Sequence, residues 1–391
     1  MPMDRPELAL FHNLPSGGGI RVLSDMLDRL QDHFHVTVHY PEGSQPLGSG
    51  RTASSREWPF PGGRRLKGLR RAAAPLVLAA RLRAFDRLCR QISMEMNRNS
   101  RLALVHNSML VAAPPLLRYL SVPSVYFCYE YPRHIYEPSL VRRTDSGVQH
   151  LLLSGLRRRE KRMDFNAARS AGRMITLSSW MARRLHDIYG ASPLIVRPGV
   201  DTGVFRPDGK AGQTNMVLSV GALWPFKGHE TALESLALMP EEVRPGLTVV
   251  ADREYPGYAR RLRTAASDLG VDLEIRKGIS DLQLRDLYNR AGAVLCCQMN
   301  EPYGLVPLEA MSCGTPVVAV EEGGFTDSVL SGENGILVRR DPRQIASALE
   351  RVLTDRELAG NLGKRGRRFV TTERTREAAA ESLAEILLGM L

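Results

Sequence analysis

The chain has 391 residues, of which 43% are hydrophobic and 24% charged, a balance that indicates a globular protein and argues against a disordered one. Its length exceeds what a single ordinary core supports and predicts two domains. The net charge of +11 favours phosphate-rich partners. Only 6% of the residues are aromatic, and none is interleaved with the basic blocks, which excludes nucleic acid as the expected partner.

The first half of the chain alternates between apolar strand-length segments and helical stretches. The predicted strands are Glu7–Phe11, Val36–Tyr40, Leu102–His106, Ser124–Phe127 and Arg173–Ser178. The first leads into the glycines Gly17–Gly19 and then into apolar residues at helical spacing. Residues 41–65 are rich in Gly, Ser, Pro and Arg and are expected to form a loop. The alternation predicts a parallel sheet covered on both faces.

A second alternating segment follows the glycine-containing linker Val196–Asn215. Its predicted strands are Met216–Gly221, Leu247–Asp252, Asp272–Gly278, Ala293–Cys297 and Pro316–Val320, and the chain ends in a predicted amphipathic helix, Glu377–Leu391. Two doubly wound parallel sheets of this kind bind ligands at the carboxyl ends of their strands.

Cysteine usage and charge distribution bear on location. The five cysteines show no CxxC spacing, which predicts buried thiols in a reducing compartment and argues against a disulfide framework or a zinc site. The N-terminus carries acids and lacks the pattern of a secretory signal, so we expect a cytoplasmic protein. Basic residues cluster between Arg51 and Arg90 and in Arg157–Arg162. They favour peripheral contact with an anionic membrane surface on its inner face, although solvated helices explain them equally well.

Residues 300–318 combine two acids with glycines and prolines. Glu301 and Glu309 flank the start of a short predicted helix, which begins near Gly304–Leu305 and ends before Gly314 because glycine is common just beyond a helix end. Unpaired N–H groups in the first turn of a helix suit a diphosphate. Carboxylates accept hydrogen bonds from the paired hydroxyls of sugars and riboses. The stretch therefore predicts a nucleotide-sugar site.

The same stretch carries a family resemblance. The pattern E-x7-E followed by A-M-x-C-G-T-P-V-V resembles the donor signature of retaining GT-B glycosyltransferases, in the family 4 group that includes glycogen, sucrose and mannosyl transferases. Four further segments are similar to the family's elements in the expected order: "LPSGGGIRVL", "VRPGVDTGVFRP", "VGALWPFKGHE" and "IRKGISDLQLRDLYNRA". The resemblance covers most of the chain.

The resemblance implies the α/β GT-B fold, in which two doubly wound, Rossmann-like parallel-sheet domains face a central cleft. Residues 1–205 would form the N-terminal, acceptor-binding domain. Residues 206–375 would form the C-terminal, nucleotide-sugar-binding domain. Residues 376–391 would form a C-terminal helix that packs back toward the N-terminal domain.

Site roles follow from the resemblance by position. Lys227 is implied to neutralise the leaving diphosphate and Glu301 to hold hydroxyls of the transferred sugar, so these two are the predicted catalytic residues. The predicted donor-binding residues are Gly17, Gly18, Gly304, Leu305, Val306, Glu309, Lys277 and Arg197, with Glu309 on the ribose. Taken singly, each has an ordinary alternative, such as a solvated helix acid for Glu309 or a surface lysine for Lys227.

The chain departs from the family near the reacting sugar. Ala222 stands where the family usually has an arginine, so Lys227 acts alone or with Arg197 or Arg253. Tyr129 stands where a "YCH-x-P" segment has histidine. The candidates for contact with the acceptor or the reacting sugar are Tyr129, Glu130, Arg133 and His106, with His134 as a further possibility.

These observations predict retaining transfer of a hexose from a nucleotide diphosphate sugar to a hydroxyl of a glycan, lipid-linked or natural-product acceptor, in polysaccharide biosynthesis for example. Similarity to mannosyltransferases that act on lipid-linked oligosaccharides slightly favours GDP-mannose, with UDP-sugars next. No cofactor is expected beyond the nucleotide sugar as co-substrate. No metal is expected either, because Lys227 and helix N–H groups supply the positive charge.

The alternatives are a binding protein, which belongs to a different functional class, and an epimerase or a phosphorylase, which are related by fold. The residues at positions 129 and 222 motivate a catalytically degenerate nucleotide-sugar-binding protein. An epimerase would need extra acids and a histidine around the sugar, and a phosphorylase a cofactor-bearing lysine and a much longer chain; neither pattern is evident.

Overall fold

The computed structural model describes residues 5–15, 17–47, 54–60, 74–137, 148–209 and 214–391. Two compact units are distinguished. Unit 1 comprises Met1–Leu177, Met181–Val196 and Ala379–Leu391, and unit 2 comprises Ser178–Trp180 and Arg197–Ala378. The chain thus passes into unit 2 after residue 196, nine residues before the boundary predicted at 205/206. Residues 210–213 of the predicted linker lie outside the described residues.

Unit 1 contains a seven-stranded parallel sheet in the order β3-β2-β1-β4-β5-β6-β7. Its strands are β1 (Glu7–Asn13), β2 (His35–Pro41), β3 (Ser54–Trp58), β4 (Leu102–Ser108), β5 (Ser124–Cys128), β6 (Arg173–Thr176) and β7 (Leu194–Ile195). The helices that connect them are α1 (Gly18–His33), α2 (Ala74–Asn99), α3 (Arg133–Tyr136), α4 (Val148–Arg169) and α5 (Ser179–Tyr189). The five strands predicted for this half are confirmed.

The prediction of a loop over residues 41–65 is wrong at β3. This strand pairs in parallel with β2 at the edge of the sheet, where Ser54, Ser55, Arg56 and Glu57 are exposed. An edge strand with polar side chains on both faces lacks the apolar alternation by which strands are predicted. Residues 48–53 and 61–65 of the predicted loop, and the basic residues up to position 73, lie outside the described part of the chain.

Unit 2 contains a six-stranded parallel sheet in the order β10-β9-β8-β11-β12-β13. Its strands are β8 (Thr214–Val220), β9 (Gly246–Ala251), β10 (Leu273–Lys277), β11 (Ala291–Cys296), β12 (Val317–Val320) and β13 (Ile336–Val338). The helices are α6 (His229–Ala237), α7 (Tyr258–Asp268), α8 (Asp281–Arg290), α9 (Leu305–Ser312), α10 (Phe325–Ser328), α11 (Pro342–Thr354) and α12 (Arg356–Glu373), followed by α13 (Arg376–Leu388).

The predicted fold class is confirmed in both units. Every side chain of β11 and β12 is buried, because helices cover both faces of a parallel sheet, and this explains their continuous apolar sequences. The five cysteines are buried and unpaired, as predicted. Within the described residues, each helix is too short or too polar to traverse a bilayer.

The last helix supplies apolar side chains to unit 1. Its buried residues are Ala379, Ala380, Leu383, Ala384 and Leu387. Glu381 Oε2 lies 3.3 Å from Nε2 of His33 at the end of α1. Residues 379–391 therefore complete a unit whose other segments end at residue 196.

Candidate active site

The strand order of unit 2 creates a switch point between β8 and β11. From β8 the chain proceeds to β9 and β10 on one side, and then returns to β11 on the other side. The segments that leave two such strands diverge at their carboxyl ends, and the space between them is where ligands bind in open α/β sheets. The segment after β8 carries Lys227, and the segment after β11 carries Glu301.

Lys227 and Glu301 meet at this switch point. Lys227 Nζ lies 2.7 Å from Glu301 Oε2, and their side chains are 21% and 24% exposed. Lys227 ends a short 3₁₀ helix, after which Gly228 adopts a φ of 73°. A Cβ at Gly228 would lie 2.0 Å from the carbonyl oxygen of Cys297, so only glycine fits this close approach between the two segments. The structure thus brings both predicted catalytic residues together.

The main chain around Glu301 is held by a glycine pair after β12. Gly324 N donates a hydrogen bond of 2.7 Å to the carbonyl oxygen of Glu301. A Cβ at Gly323 would lie 2.5 Å from that oxygen, and one at Gly324 would lie 2.4 Å from the carbonyl oxygen of Pro302. The two glycines therefore let the backbone of residues 323–324 support the Glu301 loop directly.

The helix predicted after Glu301 is confirmed as α9. It begins after Gly304, which has a φ of 92° and makes no side-chain capping hydrogen bond. It ends before Gly314, which has a φ of 80° and donates from its N–H to Met311 O. Without a capping side chain, the first-turn N–H groups of Leu305 and Val306 are suited to an anion.

Glu309 is buried inside α9, with 3% of its surface exposed. Tyr288 Oη donates a 2.7 Å hydrogen bond to Glu309 Oε2, and Tyr288 is itself fully buried. This burial, with the adjacent carboxylate, raises the pKa of Tyr288 well above its usual value, so the phenol remains a donor. The alternative of a solvated helix acid is therefore wrong. Tyr288 was missed from the sequence, where it reads as one of the apolar residues at helical spacing in α8.

The other basic candidates of unit 2 have carboxylate partners of their own. Arg197 binds Asp327 through Nε and Nη2, at 3.2 and 3.0 Å. Lys277 pairs with Glu254 beside the end of β10. Arg253 Nε lies 3.4 Å from Asp252 Oδ2. It stays a prediction that Arg197 or Arg253 acts beside Lys227. It also stays a prediction that Lys277 binds the donor near its nucleotide base.

Unit 1 has its own switch point, between β1 and β4, where His12 and His106 lie near the strand ends. Both rings are fully buried, and neither has a hydrogen-bond partner among the described residues. Burial lowers the pKa of His106 well below its usual value and that of His12 to about 4, so both are neutral at neutral pH. The Tyr129 ring stacks on His106 with centroids 5.3 Å apart.

The remaining unit 1 candidates lie around the turn after β5. Glu130 and Arg133 form an ion pair of 2.7 Å, and Asn107, which the sequence did not single out, accepts from Tyr129 N and donates to Glu130 O. His134 Nε2 lies 2.9 Å from Glu160 Oε1. Gly17 has a φ of 126° and directly precedes α1, which begins at Gly18. These positions remain candidates for contacts with the acceptor, the reacting sugar or the phosphates.

Metal-ligating side chains do not cluster in the described ranges, which contain no group of three or more His, Cys, Asp or Glu placed to hold an ion. At the unit 2 switch point, Lys227 contributes a positive charge. Metal independence itself stays a prediction.

Two family models match consecutive parts of the chain. The model for Glycosyltransferase Family 4 matches residues 16–204, and that for Glycosyl transferases group 1 matches residues 203–369. A D-inositol 3-phosphate glycosyltransferase of Acidothermus cellulolyticus is 37% identical over 210 residues, which are 47% of this chain and 46% of that protein. The chain thus spans about half the length of the curated relatives that it matches, 46% and 54% for two of them.

Solved structures agree in fold. The sucrose-phosphate synthase of Thermosynechococcus elongatus superposes with a TM-score of 0.78 at 20% identity, covering 99% of both chains. Anabaena HepE in complex with UDP and glucose superposes with a TM-score of 0.75 at 16% identity, covering 98% of this chain and 100% of that one. With the two family models and the arrangement of its two parallel sheets, the chain belongs to the GT-B glycosyltransferases of the family 4-like group.

Proposed function

We propose that the protein transfers a sugar from a nucleotide diphosphate sugar to a hydroxyl group of an acceptor. The observation that carries this proposal is the 2.7 Å contact between Lys227 and Glu301, a cation and a carboxylate that lie at one switch point. A carboxylate can accept hydrogen bonds from sugar hydroxyls. The uncapped start of α9 adds main-chain donors after Gly304. Together these groups match a diphosphate with a sugar ring on one side and a ribose on the other.

The proposed mechanism retains the configuration at the anomeric carbon. The bond from that carbon to the phosphate oxygen breaks, and its electron pair leaves with the diphosphate. The acceptor oxygen bonds to the carbon from the same face, and its proton passes to the departing phosphate oxygen. Lys227 and the N–H groups of Leu305 and Val306 stabilise the charge that develops on the diphosphate, in place of a metal ion.

Glu309 would hold the ribose in this arrangement. Its Oε2 is engaged by Tyr288 at 2.7 Å, which fixes the orientation of the carboxyl group inside α9. A carboxylate has about four lone-pair positions, so it can accept from a ligand hydroxyl while it accepts from the tyrosine. The buried phenol thus sets the direction in which the acid meets its ligand.

The donor proposed first is GDP-mannose, and the second is a UDP-sugar. Because HepE was solved with UDP and glucose, UDP-glucose belongs in the test panel. Polyol phosphates join glycans and lipid-linked sugars as acceptor candidates, since the curated relatives are D-inositol 3-phosphate glycosyltransferases.

We also propose peripheral contact with an anionic membrane on the cytoplasmic side. Arg158, Lys161 and Arg162 are exposed on α4, and the last two follow Arg158 by three and four positions, so both lie on the same face of the helix as Arg158. A basic face of this kind attracts anionic lipids.

The test is donor turnover by the purified protein. Nucleotide sugars are first ranked by the shift that they cause in the thermal midpoint, because a ligand of the native state raises it. The ranked donors, labelled in the sugar, are then incubated with the acceptor panel, with and without EDTA. We expect a labelled product of retained configuration in both conditions. A thermal shift without any product would favour the degenerate binding protein. If neither a thermal shift nor a product is observed, the proposal is refuted.

A further inference from the structure

Arg340 makes four hydrogen bonds behind the candidate active site. It follows β13, and its side chain is 19% exposed. Nη1 donates to Cys297 O at 2.7 Å, and Nη2 donates to Gln298 O at 3.1 Å. Nε and Nη2 also donate to the two carboxylate oxygens of Glu322, at 2.8 and 2.6 Å. The planar guanidinium therefore binds two carbonyls and one carboxylate at once, which lysine cannot do.

These contacts join the segments that follow two neighbouring strands. Cys297 and Gln298 follow β11 and lead directly to Glu301. Glu322 follows β12 and leads directly to Gly323 and Gly324, whose backbone supports Glu301. Because β13 is the edge strand beside β12, Arg340 reaches past the end of β12 to that of β11.

The same β11 segment also holds the Lys227 turn. Gln298 Nε2 donates to Val220 O at the end of β8, at 2.9 Å. Met299 N donates to Phe226 O, the residue before Lys227, at 2.8 Å. A shift of the β11 segment would therefore move the backbone that carries both members of the Lys227–Glu301 pair.

We propose that Arg340 is a positioning residue, which fixes the separation of Glu301 and Lys227 by tying the β11 segment to the segment after β12, whose glycines support the Glu301 loop. The proposal rests on the proposed function, because it concerns the same two side chains. Arg340 lies outside the strands themselves and is partly exposed, so water can replace its contacts with Glu322 when it is removed. The sheet should therefore persist in a variant while the segment geometry relaxes.

The first test measures hydrogen exchange and needs no substrate. Arg340→Met keeps the unbranched apolar stem of the side chain and removes its donors, and Arg339→Met, at an exposed neighbouring arginine, is the matched control. We expect faster exchange, by about tenfold or more, at the amides of Met299 and Gly324 in Arg340→Met alone, with β9 unchanged, since local opening is independent of global unfolding. Unchanged exchange at both amides, or faster exchange throughout β9, would overturn the proposal.

The second test is kinetic. We expect Arg340→Met to lower kcat by about 10- to 100-fold, the scale of a small misplacement of a catalytic group, while the Kd of the nucleoside diphosphate stays within about threefold. In a Glu301→Gln background the same substitution should cost little further, because the charged Lys227–Glu301 pair whose separation Arg340 fixes is already broken. Wild-type kcat in the single variant, or an equal loss in both backgrounds, would overturn the proposal. Local exchange in a protein that transfers no sugar would support the positioning role and refute only the proposed function.

Discussion

Lys227 Nζ and Glu301 Oε2 lie 2.7 Å apart, although 74 positions separate the two residues in the sequence. Each side chain is only about a quarter exposed, at 21% and 24%, so each gives the other a counter-charge in a partly desolvated place. A diphosphate carries more negative charge than one carboxylate and so competes for the ammonium. Donor binding should then leave Glu301 able to accept hydrogen bonds from sugar hydroxyls.

Replacement of Lys227 tests the charge at the leaving group. We expect Lys227→Ala to lower kcat/KM by about 10²- to 10³-fold, the loss typical of one transition-state donor. Steady-state kinetics with the preferred donor measures it. Lys364→Ala, at an exposed lysine on α12, is the control and should keep wild-type kinetics. Transfer by Lys227→Ala at a near-wild-type rate would refute the assigned role.

Tyr288→Phe tests the orientation of Glu309. The variant removes the 2.7 Å hydrogen bond to Glu309 Oε2 and leaves a buried carboxylate with one partner fewer. We expect the nucleoside diphosphate to bind about tenfold more weakly, since a hydrogen bond to a charged group contributes about 1.5–3 kcal/mol. Isothermal titration with the nucleotide and its 2′,3′-dideoxy analogue measures it, and the variant should discriminate less between the two.

The control for this variant removes the same chemistry elsewhere. Tyr119 Oη donates to Asp86 Oδ1 at 3.0 Å in unit 1, so Tyr119→Phe also deletes a tyrosine-to-carboxylate hydrogen bond. It should leave nucleotide affinity unchanged. Equal affinities in wild type and Tyr288→Phe would show that the tyrosine does not orient the acid for its ligand.

Gly324→Ala tests the support of the Glu301 loop. The new Cβ would lie 2.4 Å from the carbonyl oxygen of Pro302, so the loop has to move. We expect a loss of kcat of about 10- to 100-fold, together with destabilisation of about 1–3 kcal/mol from overpacking. Gly360→Ala is the control, since nothing lies within 4 Å of its Cβ in α12, and it should stabilise the protein by about 0.5–1 kcal/mol. A fully active Gly324→Ala protein would contradict the role given to the glycine.

Most strands were predictable because a parallel strand that is buried on both faces is apolar along its whole length. Val317–Val320 is apolar at every position and was found, whereas Ser54–Trp58, a polar edge strand, was not. The three-residue strand Ile336–Val338 was also missed, because so short a segment carries no measurable period.

The site was predictable only where local sequence carries it. The start of α9 was predicted correctly, and Glu301 was singled out, because acid, glycine and helix signals fall within a few residues of each other. Two side chains that hold these residues or their loops were not found. Tyr288 and Arg340 act through contacts that depend on helix packing and strand order, and neither is encoded at a fixed sequence distance from Glu301.

His229 should make the stability of the protein sensitive to acid. It is fully buried between Ser219 Oγ and Ala222 O, at 3.1 and 3.2 Å, and burial lowers its pKa to about 4. Between about pH 4 and 6.5 the unfolded chain binds a proton that the folded chain does not, so this contribution is complete above 6.5 and is lost as the pH falls. From pH 7 to pH 5 we expect a loss of about 2 kcal/mol from this residue.

Urea unfolding at the two pH values measures the effect. His229→Gln cannot titrate, so the free energy of unfolding should depend less on pH, by about that amount. His186→Gln, which removes an exposed histidine, should retain the pH dependence of the wild type. Equal pH dependence in His229→Gln and wild type would contradict the prediction.

The basic face of α4 should bind anionic vesicles at low salt. Simultaneous replacement of Arg158, Lys161 and Arg162 by glutamate should abolish binding, because each basic residue near such a surface contributes about 1 kcal/mol. Sedimentation with phosphatidylglycerol vesicles, and with neutral vesicles for comparison, measures it. Binding of the wild type should weaken as salt is added, because exposed charges are screened.

The matched control carries the same change of net charge on another helix. Arg356, Arg365 and Arg368 are exposed on α12, and their replacement by glutamate should leave vesicle binding largely intact. Equal losses in the two triple variants would mean that net charge, and no particular face, governs association.

The division of the chain also has a consequence for biosynthesis. Unit 1 needs Ala379–Leu391, but the ribosome makes those residues only after all of Arg197–Ala378. The sheet of unit 1 can assemble early, but part of its apolar surface stays exposed until α13, with its buried residues Leu383 and Leu387, has been synthesised. Unit 2 can mature first, and removal of residues 379–391 would damage unit 1, most of which precedes unit 2 in the chain.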